Sequence, residues 1–173
     1  GMAGEMMRPL AVFLGLIVTA SAALAQFRAQ PQAGLKPAQL AIIINDEDPN
    51  SVAVGAYYRK VRNIPKANVV HVNIPNRPHR LDAAQFAVLK KDIDRQLGED
   101  IEAVLMIWTA PYAVECNSIT SAYTLGFDAG QCSRTCDAGR PSKYFNSAAT
   151  RPYMAEGLRL SMLLPADSVK QAK

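Results

Sequence analysis

The apolar positions of the chain fall into short continuous runs separated by stretches with helical spacing. Leu40 to Ile44 is the first run, with three isoleucines in a row. No polar residue alternates with them, which is the pattern of a strand buried on both faces. Asn45 to Asn50 breaks the run with a polar turn. There, Asp48-Pro49 predicts a helix start, the aspartate as cap and the proline in the first turn. On a helical wheel Ala53, Val54, Tyr57 and Val61 share one face, with Gly55, Arg59 and Arg62 turned away. Asn63-Ile64-Pro65 ends this helix, since proline cannot continue it and restricts the residue before it. Val69 to Ile74 is a second β-branched run.

The alternation continues. Asn76 to Arg80 reads as a loop, and Asp82 followed by Gln85 matches a capping box, with Leu81 able to staple onto Phe86. The helix that follows turns Phe86, Leu89, Ile93 and Leu97 inward and Lys90, Lys91, Asp94 and Arg95 outward, as far as Gly98. Ala103 to Trp108 is a third buried strand and Leu158 to Leu164 a further one. Pro165-Ala166-Asp167 then resembles a helix start. Strands alternating with helices over short connections predict an α/β fold. The expected form is a three-layer Rossmann-like or flavodoxin-like sandwich around a mainly parallel sheet. Between Thr109 and Pro152 the periodicity is lost, and this stretch holds all three cysteines. A loop of that length in a compact domain is expected to be a functional insertion or to be stapled by a disulfide.

Residues 1–25 have the form of a cleaved secretory signal. Arg8 precedes an apolar stretch from Leu10 to Ala22, and Ala23-Leu24-Ala25 is a small-x-small cleavage site before Gln26. The apolar stretch is shorter than the ~20 residues a spanning helix needs. Export to the periplasm or the exterior is therefore expected, with a mature chain that does not span the membrane. Residues 26–38 read as a flexible lead-in and residues 39–173 as one α/β domain. The short helix start after the last strand suggests that this domain is incomplete at its C-terminus.

Charge narrows the partners. Lys and Arg number 19 against 15 Asp and Glu, a net +4, but the basic residues are scattered. Clustered bases with stacking aromatics, the mark of a nucleic-acid groove, are missing, so no nucleic-acid partner is expected. In an oxidising compartment three cysteines allow one disulfide and leave one thiol: Cys132 with Cys136, or either of them with Cys116. A zinc site would lack a fourth ligand, because both histidines are far away in sequence.

In an open parallel sheet, ligands bind outside the carboxyl ends of the strands. The loops expected there offer Asn45, Asp46, Glu47 and Asp48, then Arg77, His79 and Arg80, then Tyr112, Glu115, Cys116 and Asn117. Of these, Asn45, Asp46, Glu47, Arg77 and Asn117 are the candidate binding residues. Asp46 and Glu47 could hold a hard cation, although acids in a turn are commonly only solvated. Asp48 reads as a cap, and His71, between apolar neighbours, as structural. The candidate catalytic pair is Cys116 as nucleophile with His79 as base, a caspase-like arrangement. No glycine-rich oxyanion turn follows Cys116, however, and export favours a disulfide there. No cofactor is implied by a motif: NDEDPNS follows the first strand where a dinucleotide or phosphate site would need a glycine-rich loop.

The segments AIIINDEDPNSVAVGAYYRKVRNIP, PYAVECNSITSAYTLGFDAGQC, KYFNS and LRLSMLLPADSVKQAK together resemble an uncharacterised family of exported bacterial proteins. That family co-occurs with the exosortase protein-sorting system. The likeness runs from about Leu40 to the end, and Asp48 to Pro65 follows the family pattern with an insertion at Asp-Pro-Asn-Ser. Members of the family are longer than this chain, which again implies a truncated member. The family has no assigned activity, so the resemblance implies compartment and context. The functional expectation is an exported binding or accessory component of a cell-envelope or extracellular-polymer system. The alternatives are the cysteine hydrolase using Cys116 and His79, and a metal-dependent hydrolase built on Asp46 and Glu47.

Overall fold

The first apolar run becomes strand β1 (Leu40–Asn45), buried from Ala41 onward. It pairs in parallel with β2 (Val69–Val72) on one side and with β4 (Ala103–Ile107) on the other. In this computed structural model residues 34–134, 149 and 151–167 are described, all within one compact unit, Gly34–Lys173. The predicted signal, the first part of the lead-in, Cys136, the KYFNS segment and the helix expected after Asp167 lie outside the described residues. A fourth strand, β7 (Leu160–Leu164), pairs in parallel with β4, giving an all-parallel sheet in the order β2-β1-β4-β7. The α/β sandwich expected from the sequence is what forms.

Because side chains alternate across a strand, β1 feeds two cores. Ile42 and Ile44, with Leu105 and Ile107 of β4, pack with Val54 of helix α1 (Pro49–Val61). Ala41 and Ile43, with Val104 and Met106, pack on the other face with Phe86, Leu89 and Ile93 of helix α2 (Ala83–Gln96). Each large aliphatic side chain buried this way contributes about 1.5–3 kcal/mol. The chain steps from β1 outward to β2, then back across β1 to β4. Crossovers of one hand then put α1 and α2 on opposite faces.

Two expectations are corrected. Helix α1 buries Ser51, Val54 and Gly55, whereas Ala53 and Val61 are exposed. Gly55 faces the sheet so closely that a Cβ there would lie 2.5 Å from Ile44 Cδ1. A wheel that scores glycine as non-apolar rotates this helix the wrong way. The stretch after Thr109, for its part, is not structureless. It builds β5 (Ala113–Val114), β6 (Asn117–Ser118) and helix α3 (Ile119–Leu125). Strand β5 pairs in parallel with β3 (Arg80–Leu81) and antiparallel with β6. Ser118 caps α3 by accepting from Ser121 N, and Ile119, Ala122 and Tyr123 are buried against α2's core. A further short helix, α4 (Pro152–Glu156), precedes β7.

The capping box at the start of α2 forms as expected, with Gln85 N donating to Asp82 and Asp82 N donating to the Gln85 side chain. Leu81 and Phe86 lie in the same core. Strand β2 stops at Val72, two residues earlier than the apolar run, because Asn45 takes over the backbone of Ile74. Strand β7 begins at Leu160, not Leu158. Gly157 in the left-handed region ends α4, and the Arg159 side chain bonds the connection ahead of β4.

Candidate functional site

The reversal of strand order, outward to β2 and then back to β4, is a topological switch point, and loops at the carboxyl ends of the two strands diverge there to leave a crevice. A cleft of about 340 Å³ lies at this edge. All four loops contribute to it: Asp48 and Asn50 after β1, Asn76, Arg77 and His79 after β2, Thr109 and Ala110 after β4, Ala166 and Asp167 after β7.

Each wall has a local cause. Asp48 is held by its capping role, accepting from Asn50 N at 3.0 Å. Its carboxylate is almost fully buried and lies 3.9 Å from the Arg77 guanidinium, which is 58% exposed. That separation is too long for a hydrogen bond, so Arg77 remains a donor facing solvent. Asn76 and Arg77 have φ values of 63° and 43°. The left-handed region costs about 1–2 kcal/mol per non-glycine residue; asparagine tolerates it, arginine less so. Strained backbone of this kind persists where surroundings hold it and is concentrated at binding sites. On the far wall Thr109 Oγ1 donates to Asp167 at 2.7 Å and accepts from Ala166 N at 3.1 Å, joining the loops after β4 and β7. Beneath it Trp108 is fully buried and donates to Pro111 O. Tyr112 N donates to His79 O, and the two rings lie 5.7 Å apart at a 30° tilt.

Of the residues expected to act, Arg77 and His79 line the cleft. Asn45 does not reach outward. It is fully buried, donates to Ile74 O and accepts from Ile74 N and Glu47 N, so it fastens the β1 and β2 loops to each other. Asn117 fastens in the same way, bonding the backbone of Asp128 in both directions and donating to Cys116 Sγ. Asp46, in the turn after β1, is bonded at 2.7 Å to Nδ1 of His71 on the edge strand β2, and both side chains are about half exposed. Glu47 is exposed. The acidic turn therefore presents an Asp–His pair and a separate glutamate. No group of three or more His, Cys, Asp or Glu side chains able to hold a metal ion occurs among the described residues.

Cys116 is bonded to Cys132, with a Cα–Cα distance of 5.1 Å. The bridge joins the tip of the β5–β6 hairpin to the turn at Ala129–Cys132. This is one of the pairings left open by the sequence, and it excludes Cys132 with Cys136. In the oxidised protein the Cys116 sulfur is held in this bond, and a disulfide sulfur is no thiolate.

Residues overlooked in the sequence are Asn50, Asn76, Thr109 and Asp167, all of which line the cleft. Position was the available signal, since each lies within a few residues of a strand's carboxyl end. Asp167 was masked by its resemblance to a helix start.

A second polar cluster lies at the opposite edge, where β4 and β7 begin. Glu102 is fully buried and accepts from Arg151 Nε and Tyr153 N. Arg159 stacks over the Tyr153 ring at 3.8 Å and donates to Ile101 O and Gly98 O. Tyr123 donates to Asp94 at 2.7 Å. Burial pushes the Tyr123 hydroxyl well above its ordinary range, and the bond to Asp94 adds to the effect. These groups are satisfied within the protein and hold the connections ahead of β4 and β7.

The chain matches no protein-family model, no curated protein and no solved structure with which it was compared.

Proposed function

We propose that the protein is an exported binding or accessory component of a cell-envelope or extracellular-polymer system. In this reading it engages its ligand in the cleft at the carboxyl edge of the sheet. The observation that carries the proposal is that all four loops of the parallel sheet meet around one cleft with both acidic and basic side chains. The Cys116–Cys132 disulfide supports an oxidising compartment. Among the described residues no helix is long and apolar enough to cross a membrane. The resemblance to exported proteins that accompany the exosortase system gives the context, and membership in that family is part of the proposal.

The test has two arms. N-terminal sequencing of the chain recovered from periplasm or medium is expected to begin at Gln26; recovery only inside the cell with residues 1–25 attached refutes export. Immobilised protein is expected to retain envelope polymer extracted from the producing cells, and the Arg77→Ala and Asp167→Ala variants to lose that retention while folding normally. Equal retention by all three proteins, or by none, refutes a binding role for the cleft.

A further inference from the structure

Resting on that reading of the cleft, we propose that its ligand is a neutral hydroxyl-rich unit, one sugar residue of a polysaccharide. Charge comes first. Asp48 and Asp167 share the cleft lining with Arg77 and His79, with Asp48 buried 3.9 Å from the Arg77 guanidinium and Asp167 exposed. A phosphate or other anion would meet both acids, and a cation would meet the guanidinium, so neither formal charge is favoured. A ligand rich in hydroxyls is different, because every hydroxyl both donates and accepts.

The cleft offers both partners. Asp167 is exposed, its Oδ1 is engaged by the Thr109 hydroxyl, and its second oxygen is left as an acceptor, while the almost fully buried Asp48 stays with Asn50 N and beside Arg77. Arg77 supplies several N–H groups in a planar fork, suited to two adjacent hydroxyls. Its neighbour Asn76 adds an amide.

Stacking is the second argument. A sugar ring presents a face of C–H groups between its rims of hydroxyls, and that face needs an apolar surface. The His79 ring on the cleft wall, extended by the nearby Tyr112 ring, provides one. Tyr112 is 49% exposed, an aromatic ring held at the surface beside a polar cleft.

Size is the third. A volume of about 340 Å³ is at the small end for ligand cavities, enough for a unit and not for a chain. Asn76 also lines an adjoining depression of about 500 Å³ with Ile74, Pro75, Pro78 and Leu81. A neighbouring unit of the same polymer has room there.

The experiment titrates wild type, Arg77→Ala and Tyr112→Ala with envelope polymer in three forms: untreated, periodate-oxidised and protease-digested. Periodate cleaves vicinal diols and leaves peptide bonds intact. Binding is expected to survive protease, to disappear after periodate, and to weaken about tenfold in each variant. Both side chains are about half exposed, so melting temperatures should match wild type. Cleft-dependent binding that survives periodate and is lost to protease identifies a peptide ligand and overturns the sugar proposal while leaving the binding role standing. Cleft-dependent binding abolished by millimolar inorganic phosphate identifies an anion site and overturns it too. Absence of any variant-sensitive binding overturns the sugar proposal and the binding role together.

Discussion

Asn45→Ala tests how the cleft is built. The asparagine side chain is fully buried and bridges the ends of β1 and β2, giving Ile74 both a donor and an acceptor. Ile74 is itself buried, so water does not replace the lost amide easily. Two backbone groups are left without partners, and each costs about 1–3 kcal/mol. The third bond, from Glu47 N, ends at an exposed turn where water can substitute. The expected loss is then about 2–6 kcal/mol, a large part of the ~5–15 kcal/mol that holds a typical domain. With a urea slope of about 2 kcal/mol per M, the unfolding midpoint should fall by about 1–3 M. Asn45→Asp sharpens the test. The protonated acid can donate to Ile74 O and accept from Ile74 N, whereas the carboxylate can only accept. Its folded pKa should therefore rise above the unfolded value of about 4, with the folded state keeping a proton that the unfolded state has lost. The gap to wild type should be smallest below that pH and widen by up to about 1.4 kcal/mol per pH unit as pH rises towards the folded pKa. An alanine variant within about 0.5 kcal/mol of wild type, together with a pH-independent gap for the aspartate variant, would falsify the bridging role.

Three further predictions concern packing, the disulfide and the second cluster. Gly55→Ala should cost about 1–3 kcal/mol by pressing a methyl group onto Ile44, despite alanine's better helix propensity, whereas Gly98→Ala, with nothing within 4 Å, should be near neutral by thermal melting. A neutral Gly55→Ala would mean that Ile44 moves aside freely. Cys132→Ser should lower stability by about 3 kcal/mol, since the bridge closes a loop with a sequence separation of 16. Reductant should then destabilise wild type, and alkylation of unreduced, denatured wild type should label Cys136 alone; a Cys132–Cys136 peptide on mapping refutes the pairing. Tyr123, held protonated by burial and by Asp94, should be among the last tyrosines to ionise in an alkaline absorbance titration. Its raised pKa favours folding below pH ~10 and ceases to do so as pH climbs through the folded value. Tyr123→Phe should therefore lose stability less steeply above pH ~10 than wild type, and parallel curves would contradict this.

Local pattern carried the secondary structure well wherever one segment contained its own reason. The unbroken LAIII run, the Asp48-Pro49 start and the Asp82–Gln85 box each concern neighbours in sequence, and each formed as read. Gly55 shows where such reading stops. Whether a glycine faces solvent or a sheet depends on how closely the helix approaches, and that distance is set by Ile44 on another element. Helix α3 was hidden for a related reason: seven residues with three buried side chains give too short a period to stand out.

The candidate site divides the same way. Sequence by itself determined that β1 and β4 are buried on both faces and that the sheet is mainly parallel, which pointed to the loops at its carboxyl edge as the place to look for a site. It could name Arg77 and His79 because both lie in the short loop after β2. Only the tertiary structure decided that Asn45 and Asn117 turn inward as fasteners, that Cys116 bonds Cys132, and that Thr109 joins Asp167 over 58 residues. The physical reason is one of range. Periodicity and caps are properties of adjacent residues, while a cleft is made by loops that are distant along the chain and brought together by strand order.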